Sequence, residues 1–81
     1  MIETLYDVPI GKTVVVEYLN CSGNIRRRLL DLGIIKGTKI KPIFKSPSGD
    51  PTAFEVRGTV LAIRKENCKD INVGLWIVYI K

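Results

Sequence analysis

The sequence of 81 residues predicts a mainly β domain: a small antiparallel barrel of five to six strands with one short α-helix. Three observations carry that expectation. Seven glycines, from Gly11 to Gly74, cut the chain into pieces mostly too short for helices. Most of those pieces either alternate apolar and polar residues or are dense in β-branched ones. Only residues 21–33 carry apolar side chains at helical spacing. The strands also follow one another too closely for helical crossovers, which argues against a parallel sheet.

The elements follow in order. "TLYDVPIG" (4–11) leads in, with Leu5, Val8 and Ile10 expected under the sheet and a turn at Pro9-Ile10-Gly11. "KTVVVEYL" (12–19) is the first strand. "CSGNIRRRLLDLG" (21–33) holds the helix, over about residues 23–32. Ser22 or Asn24 can cap its start, and Gly33 stands where a left-handed terminating residue is wanted. Ile25, Leu29 and Leu32 form one apolar stripe, which Leu30 broadens. So short a helix does not stand alone in water, so the stripe is expected to cover the open end of the barrel.

"GTKIKPIFK" (37–45) alternates, placing Ile40, Pro42 and Phe44 on one face and Lys39, Lys41, Ile43 and Lys45 on the other. A proline within a strand belongs on an edge or at a bulge. "SPSGDP" (46–51) is a wide corner. "AFEVR" (53–57) turns Phe54 and Val56 inward, Glu55 and Arg57 outward. "TVLAIRK" (59–65) has Leu61 and Ile63 on one face and Val60, Ala62 and Arg64 on the other. "ENCKD" (66–70) is a turn or a single helical turn. "INVGLWIVYI" (71–80) is apolar on both faces apart from Asn72 and Gly74. Phe44, Phe54 and Trp76 read as core.

Composition narrows the function. The chain is one domain with an ordinary balance of 26% charged and 46% apolar residues. No apolar run approaches the roughly 20 residues of a membrane helix. "MIETLYDVPIGK" shows no export signal, so the cytoplasm is the expected compartment. The net charge is +5 and there is no histidine. That removes the commonest general base and the commonest metal ligand, and no catalytic residue is assigned. Cys21 and Cys68 lack zinc-ligand spacing and are expected to be free, buried thiols. The carboxylates show no calcium-loop spacing, so no metal ligands and no cofactor are assigned.

The basic residues are the remaining candidates. Arg26, Arg27 and Arg28 sit at the helix start, where cations oppose the helix dipole. They are read either as a solvated face, with Arg27 and Arg28 pairing to Asp31, or as an interaction surface. Lys39, Lys41 and Lys45 pose the same choice. Arg57 beside Gly58 is the charge that a plain hairpin explains least.

Three stretches then carry a resemblance. "RRRLLDLGIIKG" (26–37), "PSGDPTAFEVRG" (47–58) and "LAIRKENCKDINV" (61–73) resemble the FeoA proteins of bacterial ferrous-iron uptake, in order and in register. "LYDVPIGKTVVVEYL" is similar to that family's lead-in and first strand. Cys68 stands where the family usually has alanine, and Thr59 where an aromatic is frequent. The resemblance implies an SH3-like barrel and a cytoplasmic, non-enzymatic accessory role. It implies a partner, the cytosolic GTP-binding part of a FeoB-type ferrous iron transporter, with contact to the membrane only through that partner. Arg26, Arg27, Arg57, Ser48 and Asp50 are the expected partner-binding residues. Transition-metal binding is ascribed to the family, and this chain has no histidine to support it.

Two other readings stay open at this level. One is a small basic nucleic-acid-binding barrel, though the tyrosines do not group with the lysines as stacking platforms would. The other is a transition-metal-responsive module using Cys21, Cys68 and carboxylates across a dimer. Residues 1–81 read as one domain, with 74–81 an extra C-terminal strand. That strand is nearly all apolar, so residues 74–80 must pair within the barrel or with another copy of the chain.

Overall fold

β-Branched and alternating segments form the five strands of a computed structural model that describes residues 2–76. They are β1 (Val14–Leu19), β2 (Lys39–Lys45), β3 (Thr52–Val56), β4 (Thr59–Ile63) and β5 (Ile71–Leu75). The helix α1 spans Gly23–Asp31, and a single turn, α2, spans Lys65–Cys68. A 3-10 turn at Leu5–Asp7 precedes β1. The sheet runs β4-β3-β2-β1-β5, all antiparallel.

β2 serves both halves of this bent sheet. Its start, Lys39 and Ile40, pairs with Val15 and Val14 of β1. Its remainder, Lys41 to Lys45, pairs with β3. The β3–β4 hairpin is in continuous register from Thr52↔Ile63 to Val56↔Thr59. The outer edge of β5 is covered by the N-terminal segment: Thr4 bridges Asn72, and Val73 N donates to Glu3 O at 3.0 Å. That segment is held by Asp7, whose Oδ2 accepts from the Thr4 and Glu3 backbone N–H groups. Those two bonds lower the Asp7 pKa.

The core lies between the two halves of the sheet. Leu5, Val14, Val16, Ile34, Ile40, Phe54, Val56 and Ile71 are fully buried in it, as is Pro42. Each such side chain contributes on the order of 1.5–3 kcal/mol relative to exposure. Leu5 and Val8 are buried as expected, whereas Ile10 is exposed.

Two bulges reset the alternation. In β1 the register shifts between Val16 and Tyr18, so Leu19 turns inward and Tyr18 outward. In β2 the shift falls between Pro42 and Phe44, next to the proline, which cannot donate to the ladder. Pro42 stays on the inner face opposite Phe54, but Phe44 swings out and is 60% exposed. Lys45 consequently leaves the face shared by Lys39 and Lys41. The expectation that Phe44 belongs to the core is corrected by that extra residue. Trp76 is also partly exposed, with Lys39 Nζ 4.3 Å from its ring centroid. Of the expected extra strand, Gly74 and Leu75 lie in β5, and residues 77–81 lie outside the described residues.

α1 is fixed at its C-terminal end. Gly33, at φ +90°, lets Gly33 N donate to Leu30 O and Ile34 N to Leu29 O, the paired bonds of a Schellman motif. Leu29 and Ile34, the two residues such a motif brings together, are both buried. Thr38 Oγ1 donates to Gly33 O at 3.1 Å, alongside Ile35 N at 3.0 Å, and so pins the turn that follows the helix. The N-cap position is Ser22, without a side-chain bond. The helix starts early enough that only Arg26 closes its first turn, Arg27 lies beyond it and Arg28 falls in the last. There a cation is favoured by the dipole rather than opposed.

Candidate functional site

The apolar stripe of α1 is only partly used by the core. Leu29 is buried, but Ile25 and Leu32 are 47% and 39% exposed. They form one wall of an open groove of about 270 Å³. The β4–α2 corner supplies the other wall through Ala62, with Pro51 at the end of the 46–51 corner. Arg28 and Arg64 also line the groove, and no carboxylate does. The expectation that the whole stripe covers the barrel end is corrected: Leu29 does so, with Leu30 partly buried beside it, and Ile25 and Leu32 do not.

Arg57 occupies a different place. Val56↔Thr59 is the last pair of the β3–β4 hairpin, so Arg57 and Gly58 make a two-residue loop. Both have positive φ, +53° and +80°, as a type I′ turn requires. Asn-Gly is the favoured pair there, and a long side chain in this conformation costs about 1 kcal/mol. Arg57 is exposed. Its side chain lies against Gly33, close to the C-terminal end of α1. It also lines a shallow depression with Lys39, Lys41, Glu55 and Trp76. Lys41 pairs with Glu55 at 3.5 Å, the one ion pair among the described residues. That exposed pair contributes little to stability.

Arg26 and Arg27 line a third, separate hollow with Leu30 and Asp31. Neither Arg27 nor Arg28 comes within 4.0 Å of Asp31, so the expected helix ion pairs do not form among the described residues. The predicted arginines thus flank α1 without sharing one cleft.

Ser48 and Asp50 build the corner itself. Ser48 Oγ donates to Asp50 O at 2.9 Å, and Ser46 N donates to Pro51 O at 3.0 Å. The Asp50–Pro51 peptide is cis. Asp50 Oδ1 accepts from Lys65 N at 2.8 Å and so caps α2 from across the fold. The corner is long because it must carry this carboxylate to the start of α2.

The thiols are the other chemically competent groups. Cys68 is buried, and burial, with the Asp50 charge second, pushes its pKa up to about 12. Its Sγ lies 3.8 Å from Ile63 O. Cys21 is half-buried, and its pKa is also raised, chiefly by burial. Both are free. Among the described residues no three His, Cys, Asp or Glu side chains come together. A neutral buried thiol and scattered carboxylates do not fit a metal site.

Sequence reasoning missed the groove, and with it Ile25, Leu32, Ala62 and Arg64. A signal was present. Ile34 directly after Gly33 supplies a second anchor for the helix end, which leaves the Ile25–Leu32 stripe with more apolar residues than the core needs.

Comparison with known proteins places the chain. The FeoA domain model matches residues 3–74. A Campylobacter jejuni protein named as an Fe(2+) transport protein A is 28% identical over 72 residues, 89% of this chain and 97% of that one. A solution structure of a FeoA-like protein from Clostridium acetobutylicum is 35% identical, with all of this chain and 96% of that one covered and a TM-score of 0.82. The Stenotrophomonas maltophilia FeoA crystallised with zinc is 33% identical over 88% of each chain, with a TM-score of 0.76. It is described as a prokaryotic SH3-domain protein and a suggested ferrous iron transport activating factor. The five-stranded barrel is accordingly SH3-like. By sequence and by fold the chain belongs to the FeoA family, non-catalytic accessory proteins of ferrous iron transport.

Proposed function

We propose that this protein acts as an accessory of bacterial ferrous iron uptake by binding the cytosolic GTP-binding part of a FeoB-type transporter. The observation that carries this reading is the groove beside α1. It exposes Ile25 and Leu32, it is flanked by Arg28 and Arg64, and no carboxylate lines it. Apolar surface ringed by like charge is the composition of a docking site for an acidic partner. Arg57, on the hairpin tip beyond the C-terminal end of α1, and Arg26 and Arg27, on the helix flank, are further candidate contacts outside the groove. Ser48 and Asp50 act at one remove, by holding the corner that ends in Pro51.

The experiment is a titration of this protein into the soluble GTP-binding domain of the transporter, with GTP turnover followed in parallel. Binding that weakens with added salt is the expected result. A turnover change that disappears in Arg57→Ala assigns catalytic assistance to that arginine, since an arginine supplied in trans is worth on the order of 10³–10⁵ in rate. Binding with unchanged turnover leaves a docking role. Absence of binding to the domain at low salt overturns the reading.

A further inference from the structure

We infer that the partner enters the groove as an extended segment and adds to the free edge of β4 as a sixth strand. This rests on the partner-binding reading above and specifies its geometry. β4 and β5 are the two end strands of the sheet. The β5 edge is occupied by Glu3 and Thr4. Among the described residues the β4 edge has no such cover. End strands of monomeric proteins are normally guarded by a charge, a proline or a bulge. β4, "TVLAI", has no charged residue and no proline, and its register is unbroken.

The hairpin fixes which backbone groups are free. In a two-residue loop the pair next to the turn, Val56↔Thr59, exchanges hydrogen bonds, and bonded pairs then alternate along the ladder. Val60 and Ala62 therefore direct their N–H and C=O groups away from β3. No described residue bonds to either. Ala62 also lines the groove, whose far wall is Ile25 and Leu32. An incoming strand would satisfy the Val60 and Ala62 backbone and set alternate side chains against α1. Arg28 and Arg64, with no carboxylate among the groove residues, select a segment that carries Asp or Glu between its apolar residues.

The test uses the whole protein and the transporter's soluble GTP-binding domain as the probe. Amide hydrogen exchange at Val60 and Ala62 is measured alone and in the complex. Both amides are expected to slow on binding. Ala62→Pro removes one outward donor at an edge position where proline is tolerated, whereas Ala62→Ser keeps it. The proline variant is expected to lose about tenfold or more in affinity, the worth of one buried backbone bond left unmade, and the serine variant to bind normally.

Binding without protection at Val60 and Ala62 overturns strand addition and leaves the partner reading standing. So does normal binding by a folded Ala62→Pro protein. A wild-type protein that does not bind the domain overturns both. Slowing of these amides at high concentration without the domain assigns the edge to a second copy of this chain. Slowing with an oligonucleotide alone assigns it to an anionic polymer, and either result overturns the proposed occupant.

Discussion

Arg57 lies over the open side of Gly33: a β-carbon placed on Gly33 would sit 3.6 Å from Arg57 Cδ and 3.7 Å from Nε. The contact ties the β3–β4 hairpin tip to the end of α1. Those distances are ordinary van der Waals spacing, so there is room for a methyl group. The constraint at Gly33 is its φ of +90°. Gly33→Ala is therefore expected to cost about 1–2 kcal/mol through backbone strain alone. Denaturant unfolding measures it, and a loss below a few tenths of a kcal/mol would contradict the Schellman account.

Arg57 itself is the better test of purpose. A residue held in a left-handed conformation where asparagine fits more comfortably is stability given up for something else. Arg57→Asn is expected to leave the fold as stable or to raise it by up to about 1 kcal/mol, while weakening binding to the transporter domain. Loss of stability with unchanged binding would make Arg57 a structural residue.

Asp50 is expected to matter for the corner and for α2. Asp50→Ala removes the acceptor for Lys65 N and should cost about 1 kcal/mol, the usual worth of a helix cap. The Lys65 amide should exchange faster in that variant. The Cys68 thiol should also titrate lower, because the Asp50 charge is one cause of its raised pKa.

The thiols should separate kinetically. At pH 8 a thiol reagent should modify half-buried Cys21 well before buried Cys68, which should react only through unfolding. The pH dependence has a definite sign. The Cys68 pKa is raised from 9.0 to about 12 on folding, so the thiol's contribution is fully present below 9.0. Stability is lost as pH rises from there towards about 12, because the unfolded chain ionises first. Cys68→Ala should flatten the stability curve over that range. An unchanged slope would mean that the thiol is not buried in solution.

Phe44 and Phe54 illustrate what the sequence can and cannot specify. Both sit in alternating strands, and alternation alone makes both core. Phe54 is 1% exposed, whereas Phe44 is 60% exposed, because one extra residue beside Pro42 shifts every later side chain in β2 to the opposite face. The proline hinted at a bulge, but only the pairing with β3 decides where the extra residue goes. The helix ends were legible because Gly33 has a local backbone reason to be there. The groove was not, because whether Ile25 and Leu32 are covered depends on how far α1 stands from β4, a tertiary distance. Arg57 was legible as an anomaly through its neighbour Gly58. Asp50 was not legible as a cap, since its partner Lys65 N lies fifteen residues away.

The central claim, that the arginine-flanked groove docks an acidic partner, is tested most directly by charge reversal. Affinity for the soluble GTP-binding domain is measured by calorimetric titration for the wild type, Arg28→Glu and Arg64→Glu. Both side chains are exposed, so the fold should survive each change. Each reversal is expected to weaken binding by about tenfold or more and to reduce its salt dependence. Two folded variants that bind as tightly as the wild type would contradict the account.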